Sequence, residues 1–160
     1  EYPDAVLFQD GSNNSGTLQS LYDDTNDEQH YTWTSNNATT QDNTIKFRFV
    51  LPADFVTVGD FSFRFRTGTV TEADNDVEVT IFNATNETAG NPTSCAADTT
   101  NTSANAWTTG TITAASITTG CTGGTALNAG DIVEVQIQLY DNTGAADFAD
   151  IGFLQFDYSN

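Results

Sequence analysis

Basic residues are almost absent from this 160-residue chain, which has four Lys and Arg residues against 22 Asp and Glu residues. The formal net charge is therefore −18 at pH 7. Binding to a polyanion needs a basic footprint, so this balance argues against nucleic acid and anionic membrane surfaces as partners. No apolar run approaches the roughly 20 residues of a membrane helix, and we expect no membrane insertion.

Methionine is absent, and charged residues make up only 16% of the chain, compared with roughly 25% in an average protein. Thr, Asn, Ser and Gly supply most of the remaining polarity. Thr favours strands and Asn favours turns, and no long stretch keeps its apolar residues at helical spacing. Composition and length therefore predict a single domain of the all-β class.

The sequence also lacks the motifs of the common enzyme classes. It has no phosphate-binding loop, no GxSxG nucleophile motif and a single histidine, His30. Acidic residues are so frequent that a carboxylate pair for glycoside hydrolysis carries no signal. We therefore predict a protein that is not an enzyme and that requires no cofactor.

Eight segments alternate or run apolar between turn residues, which is the pattern of β-strands. They cover residues 5–8, 31–35, 44–51, 61–67, 77–83, 107–117, 131–140 and 151–158. Because the spacing of βαβ units is missing, about eight strands predict an antiparallel β-sandwich of jelly-roll-like architecture. An immunoglobulin-like sandwich is the alternative, and the spacing of Cys and Trp disfavours it.

Side-chain alternation assigns a buried and a wet face to most of these strands. Phe61, Phe63 and Phe65, for example, share one face, opposite the polar residues between them. We predict residues 1–16 as an N-terminal strand with a flexible linker and residues 17–160 as the sandwich domain. Residues 84–105 carry no strand signal and are predicted as a long loop.

Two cysteines and five glycosylation sequons indicate the compartment. An even cysteine count in a polar β-rich chain predicts one disulfide, between Cys95 and Cys121, with two unpaired thiols as the alternative. The N-x-S/T sequons start at Asn13, Asn37, Asn83, Asn86 and Asn101. Both features predict an extracellular or cell-surface location.

All four basic residues fall on two predicted strands, as Lys46, Arg48, Arg64 and Arg66. Alternation places them on the solvent side, so they form one basic stripe if the two strands are neighbours. Such a stripe would align an acidic patch of an adjoining subunit. The alternative is local cross-strand pairing with the outward-facing acids Glu78 and Glu134.

A short apolar segment precedes the Gly/Asn/Ser-rich stretch of residues 9–16. It consists of Ala5, Val6, Leu7 and Phe8. Strand addition uses backbone hydrogen bonds for affinity and side-chain pockets for specificity. The segment is therefore either a donor strand for a neighbouring subunit or an ordinary strand of its own sheet.

Two further sets of residues are candidates for binding. Calcium prefers six to eight oxygen ligands, and the acidic loop before the last strand supplies Asp141, Asn142, Asp147 and Asp150. Aromatic rings suit sugar binding, and Trp33 and Trp107 are the candidates for it, with burial in the core as the alternative for each.

Several segments resemble Thr-rich β-sandwich modules of bacterial surface and fibre proteins. They are residues 31–35, residues 41–42, residues 45–55 and residues 149–153, so the similarity extends from residue 31 to the end. More loosely, the chain is similar to donor-strand-linked filament subunits. The resemblance implies a surface location and a structural or adhesive role, without catalytic residues.

We therefore predict a structural subunit of an extracellular filament or surface assembly, a homopolymer joined by its N-terminal strand. Two alternatives remain open. One is a carbohydrate-binding or adhesin module with a glycan as its partner. The other is a virion fibre or decoration protein.

Overall fold

The structure is a computed structural model that describes residues 6–10, 13–71, 73–86, 95–120, 126–142 and 147–160. These residues form ten strands, one 3₁₀ turn at Ala84–Asn86 and one short helix, α1, at Ala114–Gly120. The strands are β1 (Val6–Asp10), β2 (Thr17–Asp23), β3 (Glu28–Thr34), β4 (Gln41–Val50), β5 (Thr57–Thr67), β6 (Asn75–Asn83), β7 (Cys95–Thr99), β8 (Thr108–Ile112), β9 (Ile132–Asp141) and β10 (Ala149–Ser159).

The strands pair into two five-stranded antiparallel sheets that pack face to face. The first sheet has the order β1-β4-β9-β6-β7 and the second has the order β2-β3-β10-β5-β8. The predicted antiparallel β-sandwich is therefore confirmed. Within the described residues, the one α-helix has seven residues, and no helix is long and apolar enough to cross a membrane.

The core lies between the sheets and consists of the residues that alternation assigns to the buried faces. Phe61, Phe63 and Phe65 of β5 are at most 2% exposed, and they face the β-branched residues of β6 and β9 in one cluster. Gly110 of β8 pairs with Phe63, whose ring lies where a Cβ atom would be. Because glycine has no Cβ atom, the Phe63 ring can pack directly against the backbone of Gly110.

Two predictions about the strands are wrong, and the edge strand β2 is missing from the eight predicted strands. The segment predicted as a long loop contains β7. Residues 107–117 do not form one strand, because β8 ends at Ile112 and α1 begins at Ala114. Pairing with a neighbour stabilises β2 and β7, and a single sequence does not reveal that partner.

The N-terminal segment is a strand of its own sheet. Residues Val6 to Asp10 pair antiparallel with Phe47 to Asn43 of β4 in the same chain. Strand β1 therefore provides an edge of the first sheet, and the structure contains the internal alternative rather than a donated strand. Ala5 lies outside the described residues.

Candidate functional site

The four basic residues do not form one stripe, because their strands belong to different sheets. Lys46 and Arg48 lie on β4 in the first sheet, and Arg64 and Arg66 lie on β5 in the second. The two pairs therefore lie on opposite outer surfaces of the sandwich. Each base instead forms an ion pair with an acid of its own surface. Local pairing is therefore the correct alternative, with Glu134 as one predicted partner, whereas the other predicted partner, Glu78, accepts a hydrogen bond from Tyr140 instead.

The outer surface of the first sheet carries a ladder of polar side chains on its three central strands, β4, β9 and β6. We call this surface the amide face. The side chains that alternate with the core residues are Asp42, Thr44, Lys46 and Arg48 of β4, Glu134, Gln136, Gln138 and Tyr140 of β9, and Asp76, Glu78, Thr80 and Phe82 of β6. Six of these twelve residues are buried although they face away from the core, which indicates that the side chains of this surface pack closely against one another.

Strand β9 runs along the centre of the amide face, and its polar side chains are anchored by neighbouring carboxylates. Gln138 Nε2 donates to Asp42 Oδ2 at 2.7 Å, and Gln136 Nε2 donates to Glu134 Oε1 at 2.8 Å. Within the described residues the side-chain oxygens of both glutamines have no hydrogen-bond partner. The two amides are therefore held in place while an acceptor and a further N–H remain for a ligand.

One end of the amide face holds its only ion pairs within the described residues. Arg48 donates through Nε and Nη2 to Glu134 Oε2, both at 2.6 Å, and Lys46 Nζ lies 4.0 Å from Glu134 Oε1. Burial raises the pKa of Glu134, but hydrogen bonds from Gln136 and Arg48 outweigh it, and the pKa lies below its ordinary value. Lys46 and Arg48, the two bases of this face, therefore both pair with Glu134.

The other end of the amide face is acidic. The Tyr140 hydroxyl donates to Glu78 Oε2 at 3.3 Å. Burial raises the pKa of the Tyr140 phenol well above its usual range, and the nearby charges of Glu78, Asp42 and Asp76 raise it further. Tyr140 is therefore a neutral hydroxyl surrounded by carboxylates.

The outer surface of the second sheet differs in character, and we call it the ion-pair face. Its centre is Arg66, which donates through Nε and Nη2 to Asp150 Oδ2 at 2.9 and 2.7 Å and through Nη1 to Asp23 Oδ2 at 3.2 Å. The guanidinium lies 4.7 Å from the centre of the Trp107 ring. Hydrogen bonds from Trp107 and Asn26 hold the pKa of Asp23 well below its usual range.

The remaining residues of the ion-pair face are also engaged with one another. His30 lies edge-on to Trp107 with ring centres 5.2 Å apart, and its Nε2 is 3.8 Å from Asp150 Oδ2. Glu28 accepts the backbone N–H of Phe153 at 2.9 Å and lies 3.7 Å from Arg64 Nη1. His30 is only 4% exposed.

The two tryptophans have different environments. Trp33 is 2% exposed, and its indole N–H donates to the backbone oxygen of Gln41 at 3.1 Å. It belongs to the core, so the prediction of a sugar-binding role for Trp33 is wrong. Trp107 lies half-buried on the ion-pair face, where Arg66 and His30 contact its ring and Asp23 accepts its N–H.

The predicted calcium ligands do not converge on one point. Asp150 lies in the ion-pair face with Arg66, away from the other candidates because it points to the outside of the second sheet. Asp141 is fully buried, accepts the Ser35 N–H at 2.5 Å and is influenced by the charge of Asp147. Asn142 donates to the backbone oxygen of Ala73.

No group of three or more His, Cys, Asp or Glu side chains in the described ranges is arranged to hold a metal ion. A calcium site at Asp141, Asn142 and Asp147 therefore stays a prediction, with Asp150 removed from it.

Two of the five sequons are buried in the fold. Asn83 is 7% exposed and donates to Asp131 at 3.3 Å, and Asn101 is 1% exposed and donates to the backbone oxygen of Ala106. Neither side chain is accessible in the folded protein, so their prediction as glycan acceptors is wrong. Asn13 is exposed and Asn37 is partly exposed, and the Asn86 side chain lies outside the described residues. Cys121 is outside them as well, so the disulfide stays a prediction.

A shallow polar cleft of about 510 Å³ lies where the 15–17 and 34–38 segments meet. Its hydroxyl and backbone groups largely bond to one another, as when the Ser35 hydroxyl donates to the backbone oxygen of Ser15 at 2.7 Å. The cleft lacks the row of anchored but open donors and acceptors that distinguishes the amide face.

The sequence matches no protein-family model and no curated protein. By fold the chain is similar to TmCBM61, solved in complex with β-1,4-galactotriose, with a TM-score of 0.62 and 9% identity over 98% of this chain and 90% of that one. It is also similar to a family 11 carbohydrate-binding module from Clostridium thermocellum, solved with a β-1,3-1,4-mixed-linked tetrasaccharide, with a TM-score of 0.55 and 11% identity over 96% of this chain and 89% of the module.

A third similar structure is the glycoside hydrolase domain of Endo-D from Streptococcus pneumoniae R6. The TM-score is 0.55 and the identity 14%, over 97% of this chain and 21% of that one. At such identities these similarities establish the β-sandwich fold. They agree with the β-sandwich part of the sequence resemblance and give no support to its filament-subunit part.

Proposed function

We propose that this protein is a non-catalytic carbohydrate-binding module whose glycan ligand lies on the amide face. The observation that carries the proposal is the row formed by Gln136, Gln138 and Tyr140 along the central strand of the sheet, anchored from one side and open on the other. The similarity of the fold to modules solved with bound oligosaccharides supports it.

The chemistry of the amide face suits a sugar. Each hydroxyl of a sugar both donates and accepts a hydrogen bond, and a glutamine amide offers one acceptor and two donors. Gln136 and Gln138 each donate one N–H to a carboxylate, and this hydrogen bond fixes the plane of the amide before a ligand binds. The Tyr140 ring adds an apolar surface against which the C–H face of a sugar can pack.

The ion-pair face is a poorer candidate for the same role. Binding there would have to displace Arg66 from Asp150, whose side chain is 1% exposed, and leave a buried carboxylate without its cation. The face of Trp107 that Arg66 covers is not open for stacking. A ligand that bound here would therefore break more favourable contacts within the protein than it could form.

The assembly function has less support than glycan binding. The segment predicted to join subunits pairs with β4 of its own chain, and the bases predicted to align subunits lie on two opposite surfaces. An extracellular or cell-surface location remains part of the proposal, because such glycans are found there.

The test is a glycan array of neutral polysaccharides and oligosaccharides, followed by calorimetry on the ligands found. We expect the Gln136→Ala, Gln138→Ala double variant to lose roughly tenfold or more in affinity, since two hydrogen bonds of about 1 kcal/mol each are removed. Gln19→Ala is the matched control, because Gln19 is exposed on β2 of the second sheet. Absence of binding on the array, or equal losses in both variants, would overturn the proposal.

A further inference from the structure

The two bases of the amide face do not pair with Asp42 or Glu78, two carboxylates of its other end, within the part of the chain that the structure describes. Arg48 and Lys46 both pair with Glu134. Among the described residues, Asp42 and Glu78 form no ion pair, and the hydrogen bonds that they accept come from neutral groups. The Glu134 end of the face therefore holds two bases and one acid, whereas Asp42 and Glu78, beside Tyr140, have no base as a partner among the described residues.

These two carboxylates touch the groups that the proposed function assigns to the ligand. Asp42 accepts from the Gln138 amide at 2.7 Å, and Glu78 accepts from the Tyr140 hydroxyl at 3.3 Å. In the strand register Glu78 lies beside Gln138, and Asp42 lies beside Tyr140. A sugar bonded to Gln138 and Tyr140 is thus flanked by one carboxylate on each side.

We propose that Asp42 and Glu78 make the amide face selective for neutral glycans and against glycans that carry carboxylate or sulfate groups. This inference rests on the proposed function, because it concerns the ligand class of the same site. Like charges placed side by side across an interface disfavour binding. Discrimination of this kind relies on repulsion of the wrong ligand rather than on new attraction. The same two carboxylates also position Gln138 and Tyr140. Asp42 and Glu78 therefore contribute both to selectivity and to the geometry of binding.

The test compares ligands with the same backbone and different charge. Hydroxyethyl cellulose and carboxymethyl cellulose form one such pair, and β-1,4-galactan with its C6-oxidised derivative forms another. We expect the wild-type protein to bind the neutral polymer of a pair roughly tenfold or more tightly than the anionic one in low salt. In about 1 M salt the Debye length falls to roughly 3 Å and the difference should shrink.

The net charge of −18 alone would repel a polyanion, so the variants must separate the site from the whole protein. Asp42→Asn and Glu78→Gln remove charge and keep an acceptor oxygen for Gln138 and Tyr140. Each should lower the ratio of neutral-polymer affinity to anionic-polymer affinity, because it removes a charge that repels the anionic polymer; affinity for the neutral polymer is measured in the same variants, since both residues position ligand-binding groups. The matched control is Asp157→Asn, because Asp157 also accepts a glutamine amide, from Gln155 at 2.8 Å, on an exposed part of the second sheet.

The possible results distinguish a failure of the proposed charge selectivity from a failure of the proposed glycan binding. Equal gains for the anionic polymer in Asp42→Asn, Glu78→Gln and Asp157→Asn would show that only net charge matters and would overturn this inference. Equal affinity of the wild type for the two polymers of a pair would overturn it as well. Failure of the wild type and every variant to bind either neutral polymer would count instead against the proposed function.

Discussion

The two outer surfaces of the sandwich use their polar residues in opposite ways. On the ion-pair face, the central carboxylate, Asp150, pairs with Arg66, and Arg66 is covered by Trp107. On the amide face, carboxylates such as Asp42 accept from neutral amides and hydroxyls. Neutral hydrogen bonds can be exchanged for those of a ligand at small net cost, whereas a buried ion pair cannot be opened cheaply.

The comparison shows that aromatic content alone is a poor guide to a binding face. Trp107 is the more exposed tryptophan, yet its ring and its N–H are both engaged by neighbours in the same chain. The amide face has two aromatic residues, Tyr140 and the buried Phe82, among its twelve outward residues. Within the described residues, the side-chain oxygens of its anchored glutamines accept no hydrogen bond. The anchored amides, rather than the more exposed indole, therefore make the amide face the better candidate for recognition.

Removing the cation at the centre of the ion-pair face should have the largest effect on stability. Arg66→Met keeps an apolar stem beside Trp107 and leaves Asp150 buried without its ion pair. We expect a loss of about 2–4 kcal/mol in the free energy of unfolding, less than the full cost of an uncompensated charge because Arg66 is partly exposed. Urea denaturation of the variant measures it.

The matched substitution on the amide face should be mild. Arg48→Met removes a side chain that is 52% exposed and leaves Glu134 with Lys46 and Gln136. We expect a loss of about 1 kcal/mol or less. Equal losses for Arg48→Met and Arg66→Met would contradict the distinction between the two faces.

Trp107→Ala should separate stability from binding. The variant loses the indole N–H bond to Asp23 and the contact with Arg66, at an expected cost of about 2 kcal/mol. Affinity for the glycan should not change, since Trp107 lies on the opposite surface. Gln138→Ala should show the reverse, with weaker binding and stability within about 0.5 kcal/mol of the wild type. Loss of glycan affinity in Trp107→Ala would move the site to the ion-pair face.

The buried carboxyl of Asp141 should give a distinct dependence of stability on pH. Burial raises its pKa from 3.8 to about 6, so the folded protein binds this proton more tightly than the unfolded chain. Stability from this group is complete below about pH 4 and is lost as pH rises through about pH 6, by an expected 1–2 kcal/mol or so. Asp141→Asn should abolish this decrease in a series of thermal melts, and Asp157→Asn, at an exposed site, should keep it.

Calcium should have the smallest effect on the proposed activity. None of the residues predicted as its ligands, such as Asp141 and Asp147, belongs to the amide face. We therefore expect a chelator to leave glycan affinity unchanged, as calorimetry with and without EDTA would show. A loss of affinity that added calcium restores would indicate that a metal ion organises the amide face.

The alternation of residues predicted most of the fold and part of the site. The core residues of β5 and the outward direction of Gln136 and Gln138 follow from a period of two. The pairing of strands did not follow, because register and sheet order depend on contacts between residues far apart in sequence. For that reason the sequence leaves open whether the four bases form one stripe or pair locally, and only the sheet order places β4 and β5 in different sheets.

The glutamines illustrate why the site itself was missed. Gln138 has no motif, and glutamine on a wet strand face is unremarkable in a sequence. Its significance comes from Asp42, which is 96 residues away and adjacent in the sheet. The pair of tryptophans was the more visible signal, and burial removed Trp33 from consideration.

The most direct test of the central claim is a ¹⁵N-resolved NMR titration of the protein with the neutral glycan identified on the array. The side-chain NH₂ signals of Gln136 and Gln138 report on the amide face, the Trp107 indole N–H reports on the ion-pair face, and the buried Trp33 indole N–H serves as reference. Glycan binding at the amide face predicts large chemical-shift changes for both glutamine amides and none for either indole. Shifts confined to the Trp107 indole and its neighbours, with unmoved glutamine amides, would contradict it.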